Sequence, residues 1–112
     1  MKVIDSSRVF GNSARTRALM LLVLLGDSYP REMSRVLELP LSAVQRALQG
    51  LERDGLVAAR SVGRTRQFQL EPRYFAAVEL SRYLLRLVEA DDGLRERVAR
   101  LRRRPRRTGK PL

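Results

Sequence analysis

Histidine and cysteine are both absent from the 112 residues, so chemistry falls to arginines, glutamines, hydroxyls and carboxylates. Their absence removes disulfides, thiolate redox chemistry and the commonest transition-metal ligands. The remaining carboxylates, serines and tyrosines are scattered without a convergent pattern, so neither enzymatic activity nor a cofactor is expected. Asp91-Asp92 is the only adjacent acidic pair. Two neighbouring carboxylates make a poor cage for a hard cation, and they suit a helix cap better, as does Ser13-Ala14-Arg15. The spacing favours binding instead. Ser42, Gln45, Arg46, Gln49 and Arg53 recur on one face of a helix. Such uncharged or basic hydrogen-bonding groups can read base edges and hold phosphates. A second basic cluster follows soon after, Arg60, Arg64 and Arg66, with Thr65 and Gln67 between them.

These side chains need elements to hold them. Leu41, Val44, Leu48 and Leu51 recur at spacings of three, four and three. They give the helix over 41–54 an apolar face opposite its polar one. Pro40 suits its start. Gly55 suits a left-handed cap, with Leu56 folding back. The apolar run Leu56–Val62 stops at Gly63-Arg64-Thr65-Arg66, after which Gln67–Leu70 alternates polar with apolar. That pattern predicts a hairpin tipped by arginines. Upstream, a helix over about 31–37 turns Met33, Val36 and Leu37 inward and Arg31 and Arg35 outward, and Glu38-Leu39-Pro40 makes the turn. Helix, turn, helix and hairpin in this order form a winged helix-turn-helix: mainly α, with a small β-hairpin wing.

The segment from Val9 to Tyr74 resembles the DNA-binding core of the ArsR-like superfamily of small prokaryotic regulators. Phe10-Gly-Asn-Ser-Ala-Arg-Thr-Arg17 matches the lead into its first helix, and Leu41-Ser-Ala-Val-Gln-Arg-Ala-Leu48 its recognition helix. Leu51-Glu-Arg-Asp-Gly-Leu-Val57 matches the link to the wing, and Gly63-Arg-Thr-Arg-Gln-Phe-Gln-Leu70 the wing. Many relatives carry glycine where Glu38 stands. The resemblance implies a cytoplasmic transcriptional regulator that binds double-stranded DNA as a homodimer. Its metal-sensing members use cysteine or histidine, so this chain would be a non-metal-sensing one. Ser42, Gln45, Arg46 and Gln49 are the expected base-reading residues. Arg31, Arg35, Arg53, Arg60, Arg64, Thr65 and Arg66 are expected on the backbone or, at the wing, in the minor groove.

The flanks complete the reading. Val9 and Phe10 should pack on the core. Asn12 or Ser13 should cap a helix to about Leu25, and this helix is apolar nearly all round. A second, over about 73–88, carries two apolar stripes: Ala77, Leu80, Leu84, Leu87 and Val88, then Tyr74, Val78 and Leu85. Both ask for two partners. One is the chain itself. The other is a second subunit, with dimerisation through these N- and C-terminal helices and an interface of Leu19, Met20, Val23, Leu80, Leu84 and Leu87. Asp91 or Asp92 caps a last helix with a narrow stripe of Leu94, Val98 and Leu101, which either docks on the dimer or frays. The expected organisation is a DNA-binding and dimerisation domain over 1–90, a C-terminal helix over 91–103 and a basic disordered tail over 104–112.

Net charge is +11, yet residues 95–112 hold nine Lys or Arg against one Glu, leaving +3 for residues 1–94. The high charge therefore reports mainly on the tail, which either lies along phosphates or stays solvated. The longest apolar run, Leu19–Leu25, is far short of a membrane span, and the N-terminal residues have no signal-peptide layout. The rival reading is a protein-interaction module, such as the antitoxin or regulatory partner of an adjacent enzyme.

Overall fold

The computed structural model describes residues 8–103. They form α1 (Ser13–Leu25), β1 (Asp27–Ser28), α2 (Pro30–Leu37), α3 (Leu41–Arg53), β2 (Val57–Val62), β3 (Thr65–Leu70), α4 (Ala77–Glu89) and α5 (Asp92–Arg103). The architecture is mainly helical with a small antiparallel wing, as the residue pattern predicts. The tail over 104–112 lies outside the described residues.

Asn12 is the cap of α1: its backbone is extended and its Oδ1 accepts the Arg15 N–H at 2.9 Å. Gly26, at φ +88, ends the helix by donating its N–H to the Leu22 carbonyl at 2.8 Å. The helix between is central, packing against α2, α3, α4, α5 and the sheet. Leu19, Leu21 and Leu22 are fully buried, and Met20 is 6% exposed. This corrects the reading that half of α1 awaits a second subunit. Leu19, Met20 and Leu84, expected at a dimer interface, are interior to the single chain. Of that expected interface, Val23, Leu80 and Leu87 remain half-buried.

Part of the reason is α5. Its Leu94 and Val98 are buried in the same cluster as α1, and Leu101 packs beside them. Asp91 Oδ1 accepts the Leu94 N–H at 3.0 Å, the capping role expected of the acidic pair. Arginines fasten the helix in place. Arg97 Nε donates to the Val36 carbonyl at 2.6 Å, and Arg102 to the Leu24 carbonyl at 2.6 Å. Arg17 donates to the Leu37 carbonyl, also at 2.6 Å. All three serve carbonyls at helix C-terminal turns, where orphan acceptors need donors. Part of the arginine content is therefore internal stitching.

Between α1 and α2 the sequence predicts only a turn, but Asp27 and Ser28 form a third strand. The sheet order is β1-β3-β2, with Asp27 opposite Gln69 and Ser28 opposite Phe68. A two-residue strand carries no periodicity of its own, so only its partner reveals it. Ser28 is buried and donates its hydroxyl to Glu32 at 2.6 Å, satisfying a carboxylate that is itself 7% exposed. Pro30 opens α2, and Glu38 closes it at φ 57 in the left-handed region, donating its N–H to the Ser34 carbonyl.

Pro40 is the N-cap of α3, one residue before its first turn. At the far end Gly55 adopts φ +82 and Leu56 N–H bonds the Leu51 carbonyl at 2.9 Å, the expected fold-back. The wing is longer and tighter than its pattern suggests. Thr65 and Arg66 belong to β3, Val62 pairs with Thr65, and the turn is Gly63-Arg64 alone. Gly63 at φ +62, first in a two-residue loop, matches a type II′ turn. Two further expectations change. α4 begins at Ala77, four residues later than its pattern implies, and Val9 is 53% exposed whereas Phe10 packs on the core.

Candidate nucleic-acid interface

Helix α3 buries Val44, Ala47, Leu48 and Leu51 and leaves Ser42, Gln45, Arg46, Gln49 and Arg53 exposed. With about 100° between successive residues, Ser42 and Gln49 fall on the crest of the exposed arc. Gln45 lies toward the wing, and Arg46 and Arg53 toward α1. Among the described residues no other segment covers these side chains, and the β-ribbon stands beside them.

On the wing side, Gln45 and Gln49 line a cleft of about 420 Å³ together with Arg31, Arg64, Thr65 and Arg66. Period-two alternation explains why Arg66 and Phe68 share a strand face toward α3. The Arg66 guanidinium stacks over the Phe68 ring, 5.3 Å from its centroid, and reaches Glu52 of α3 at 3.1 Å. The wing is thus pinned to the helix it flanks. Arg64, on the turn, makes no ion pair among the described residues. Arg60 projects elsewhere and pairs with Asp27 of β1 at 3.8 Å. Of the expected backbone residues, Arg60 and Arg35 lie outside both clefts beside α3, although both are exposed.

On the opposite flank, Arg46 and Arg53 line a second cleft of about 320 Å³ against the first turn of α1. Arg15 is the residue the sequence reading missed. Its guanidinium crosses Gly50 and meets Asp54 at 2.6 Å, and a Cβ on Gly50 would stand 2.7 Å from its Nη1. Glycine within a helix lowers its stability relative to alanine, and here it makes room for that crossing. The hydrogen bond from Arg15 holds the Asp54 carboxyl below its usual range. Partial burial opposes this, and the charges of Arg15 and Arg53 add to the lowering. The sequence signal was the lone glycine in an otherwise strong helical pattern. Its meaning depends on a residue from another helix.

Among the described residues no group of three or more acidic side chains could hold a metal, and no helix is long and apolar enough to cross a membrane.

A family model described as the sugar-specific transcriptional regulator TrmB matches residues 13–81. That segment runs from α1 into α4, the helix-turn-helix and wing. Among solved structures, HlyU from Vibrio cholerae is 27% identical, over 76% of this chain and 83% of that one, with a TM-score of 0.61. The adhesin competence repressor AdcR from Streptococcus pyogenes is 16% identical over 80% of this chain, with a TM-score of 0.61. A MarR-family transcriptional regulator from Silicibacter pomeroyi is 23% identical over 86% of this chain, with a TM-score of 0.60. The last two likenesses are of fold. The chain spans 66% of AdcR and 61% of the MarR-family protein, just under two thirds of their length. No curated protein matches the chain. The expected superfamily, winged helix-turn-helix regulators, is the one found, although the matching model is TrmB where the sequence resembled ArsR.

Proposed function

The chain belongs to the TrmB family of transcriptional regulators, and from that premise we propose a homodimeric, sequence-specific DNA-binding protein. Within the superfamily we read it as an ArsR-like, non-metal-sensing member, since cysteine and histidine are absent. The family description names sugars, but the matched residues are the helix-turn-helix and wing, so the proposal concerns DNA and assigns no sugar.

The observation that carries it is the polar crest of α3 between two arginine-lined clefts. A helix with an exposed row of Ser42, Gln45, Arg46 and Gln49 suits a major groove. Arg46 is suited to guanine and Gln45 or Gln49 to adenine, each good bidentate contact giving about 1–3 kcal/mol of discrimination. Arg31, Arg64, Thr65 and Arg66 would hold phosphates on the wing side, with Arg64 the residue at the tip. Arg35, Arg53 and Arg60 are assigned secondary contacts. The protein would act in the cytoplasm, where prokaryotic DNA lies.

The dimer surface is assigned to what the fold leaves uncovered. Phe75 is 91% exposed, Val78 59% and Leu85 43%, all on or just before α4, with half-buried Val23, Leu80 and Leu87 in support. The same apolar surface would serve the rival reading, an interaction module that pairs with a different protein, and light scattering on the purified chain separates the two. Selection of bound fragments from a random duplex library at physiological salt tests the main proposal. A palindromic motif with half-sites roughly 34 Å apart is expected. Absence of any enriched sequence would sink it.

A further inference from the structure

We propose that the α1-side cleft of α3 is a second phosphate site, which grips the strand across the major groove from the one met by the wing. The inference rests on the DNA-binding reading above and adds a site to it. An α-helix in a major groove has a phosphate backbone on each side, because the groove is about 12 Å wide and the helix with its side chains nearly fills it. A protein whose basic groups stood on one flank alone would hold one strand. Here both flanks are built. The wing side offers Arg31, Arg64 and Arg66, and the α1 side offers Arg15 and Arg53, with Arg46 on the rim toward the bases.

The α1-side cleft suits a phosphate in shape as well as charge. Ala43 and Ala47 line the cleft without long side chains, next to the Arg15 guanidinium that covers Gly50, so an oxyanion has room beside the helix. Arg15 is fixed there by Asp54 at 2.6 Å and is therefore already oriented before any ligand arrives. The Arg15 side chain keeps 18% of its surface exposed and lines the cleft with Arg46 and Arg53, so three guanidinium groups border one opening.

The test uses the full chain and a selected duplex, measuring affinity across a series of KCl concentrations and phosphate-ethylation interference on each strand. Wild type is expected to show interference patches on both strands bordering the recognition helix. Arg53→Gln should erase the patch on one strand of each half-site and lower the salt slope by about one per subunit of the dimer. A variant with the wild-type slope and both patches overturns the site while leaving DNA binding intact. Should Arg53→Gln fail to fold, Ala43→Glu decides, because it sets a carboxylate in the cleft: loss of the same patch supports the site, and both patches retained overturn it. A wild-type chain that binds no duplex overturns the regulator reading, and this site with it.

Discussion

Arg15 and Asp54, 39 positions apart in sequence, meet at 2.6 Å across the bare backbone of Gly50. The pair ties the first turn of α1 to the end of α3, so the helix proposed to enter DNA is braced at its C-terminal end by a charge from the core helix. Its Asp54 carboxyl is held below the usual range chiefly by the Arg15 hydrogen bond. A carboxyl whose folded value is depressed adds stability above its unfolded value, about 3.9, and loses it as pH falls through the folded one. Wild type should therefore melt above Asp54→Asn near neutral pH, with the gap closing below about pH 4. Parallel melting curves at every pH would refute this.

Arg46 and Arg64 should fail in different ways. Arg46 stands on α3 beside the crest and Arg64 on the wing turn. Arg46→Ala is expected to relax base preference at one position of each half-site. Arg64→Ala should weaken binding to all duplexes alike and reduce the salt slope by about one per subunit of the dimer. Competition binding against permuted sites, together with a salt titration, checks both. Reversed outcomes would mean that helix and wing roles are misassigned.

Leu84 and Leu85 are neighbours with opposite expected behaviour. Leu84 is 0% exposed inside the core, whereas Leu85 is 43% exposed on the outer face of α4. Leu84→Ala should cost about 2–5 kcal/mol in denaturant unfolding. Leu85→Glu should leave the folded protomer intact and halve the mass seen by sedimentation. A Leu85→Glu chain that remains a dimer would move the interface elsewhere.

Glu38 occupies a left-handed conformation at φ 57 that penalises a Cβ. Glu38→Gly removes that penalty and adds backbone entropy to the unfolded chain. The balance predicts a gain of about 0.5–1 kcal/mol, measured by chemical denaturation. A loss of stability would show that the Glu38 side chain contributes more than its turn position suggests.

What could be read without coordinates was whatever depends on neighbours in the chain. The apolar row Leu41, Val44, Leu48 and Leu51 repeats at helical spacing. Gly55 and Gly63 mark chain reversals through their own φ preferences, and Gln67–Leu70 alternates like a strand. Local periodicity and local backbone freedom specify helix, turn and wing, and with them which face of α3 is wet. Tertiary structure decided everything whose partner lies far along the chain. Strand Asp27–Ser28 exists only because β3 passes beside it. Leu19, Met20 and Leu84 are interior because α3, α4, β3 and α5 close together around α1. Arg17, Arg97 and Arg102 look like surface charge until the carbonyls they serve come within reach, and Gly50 has no evident purpose until Arg15 crosses it. Burial and ion pairing are properties of distance in space, and a single sequence records only distance along the chain.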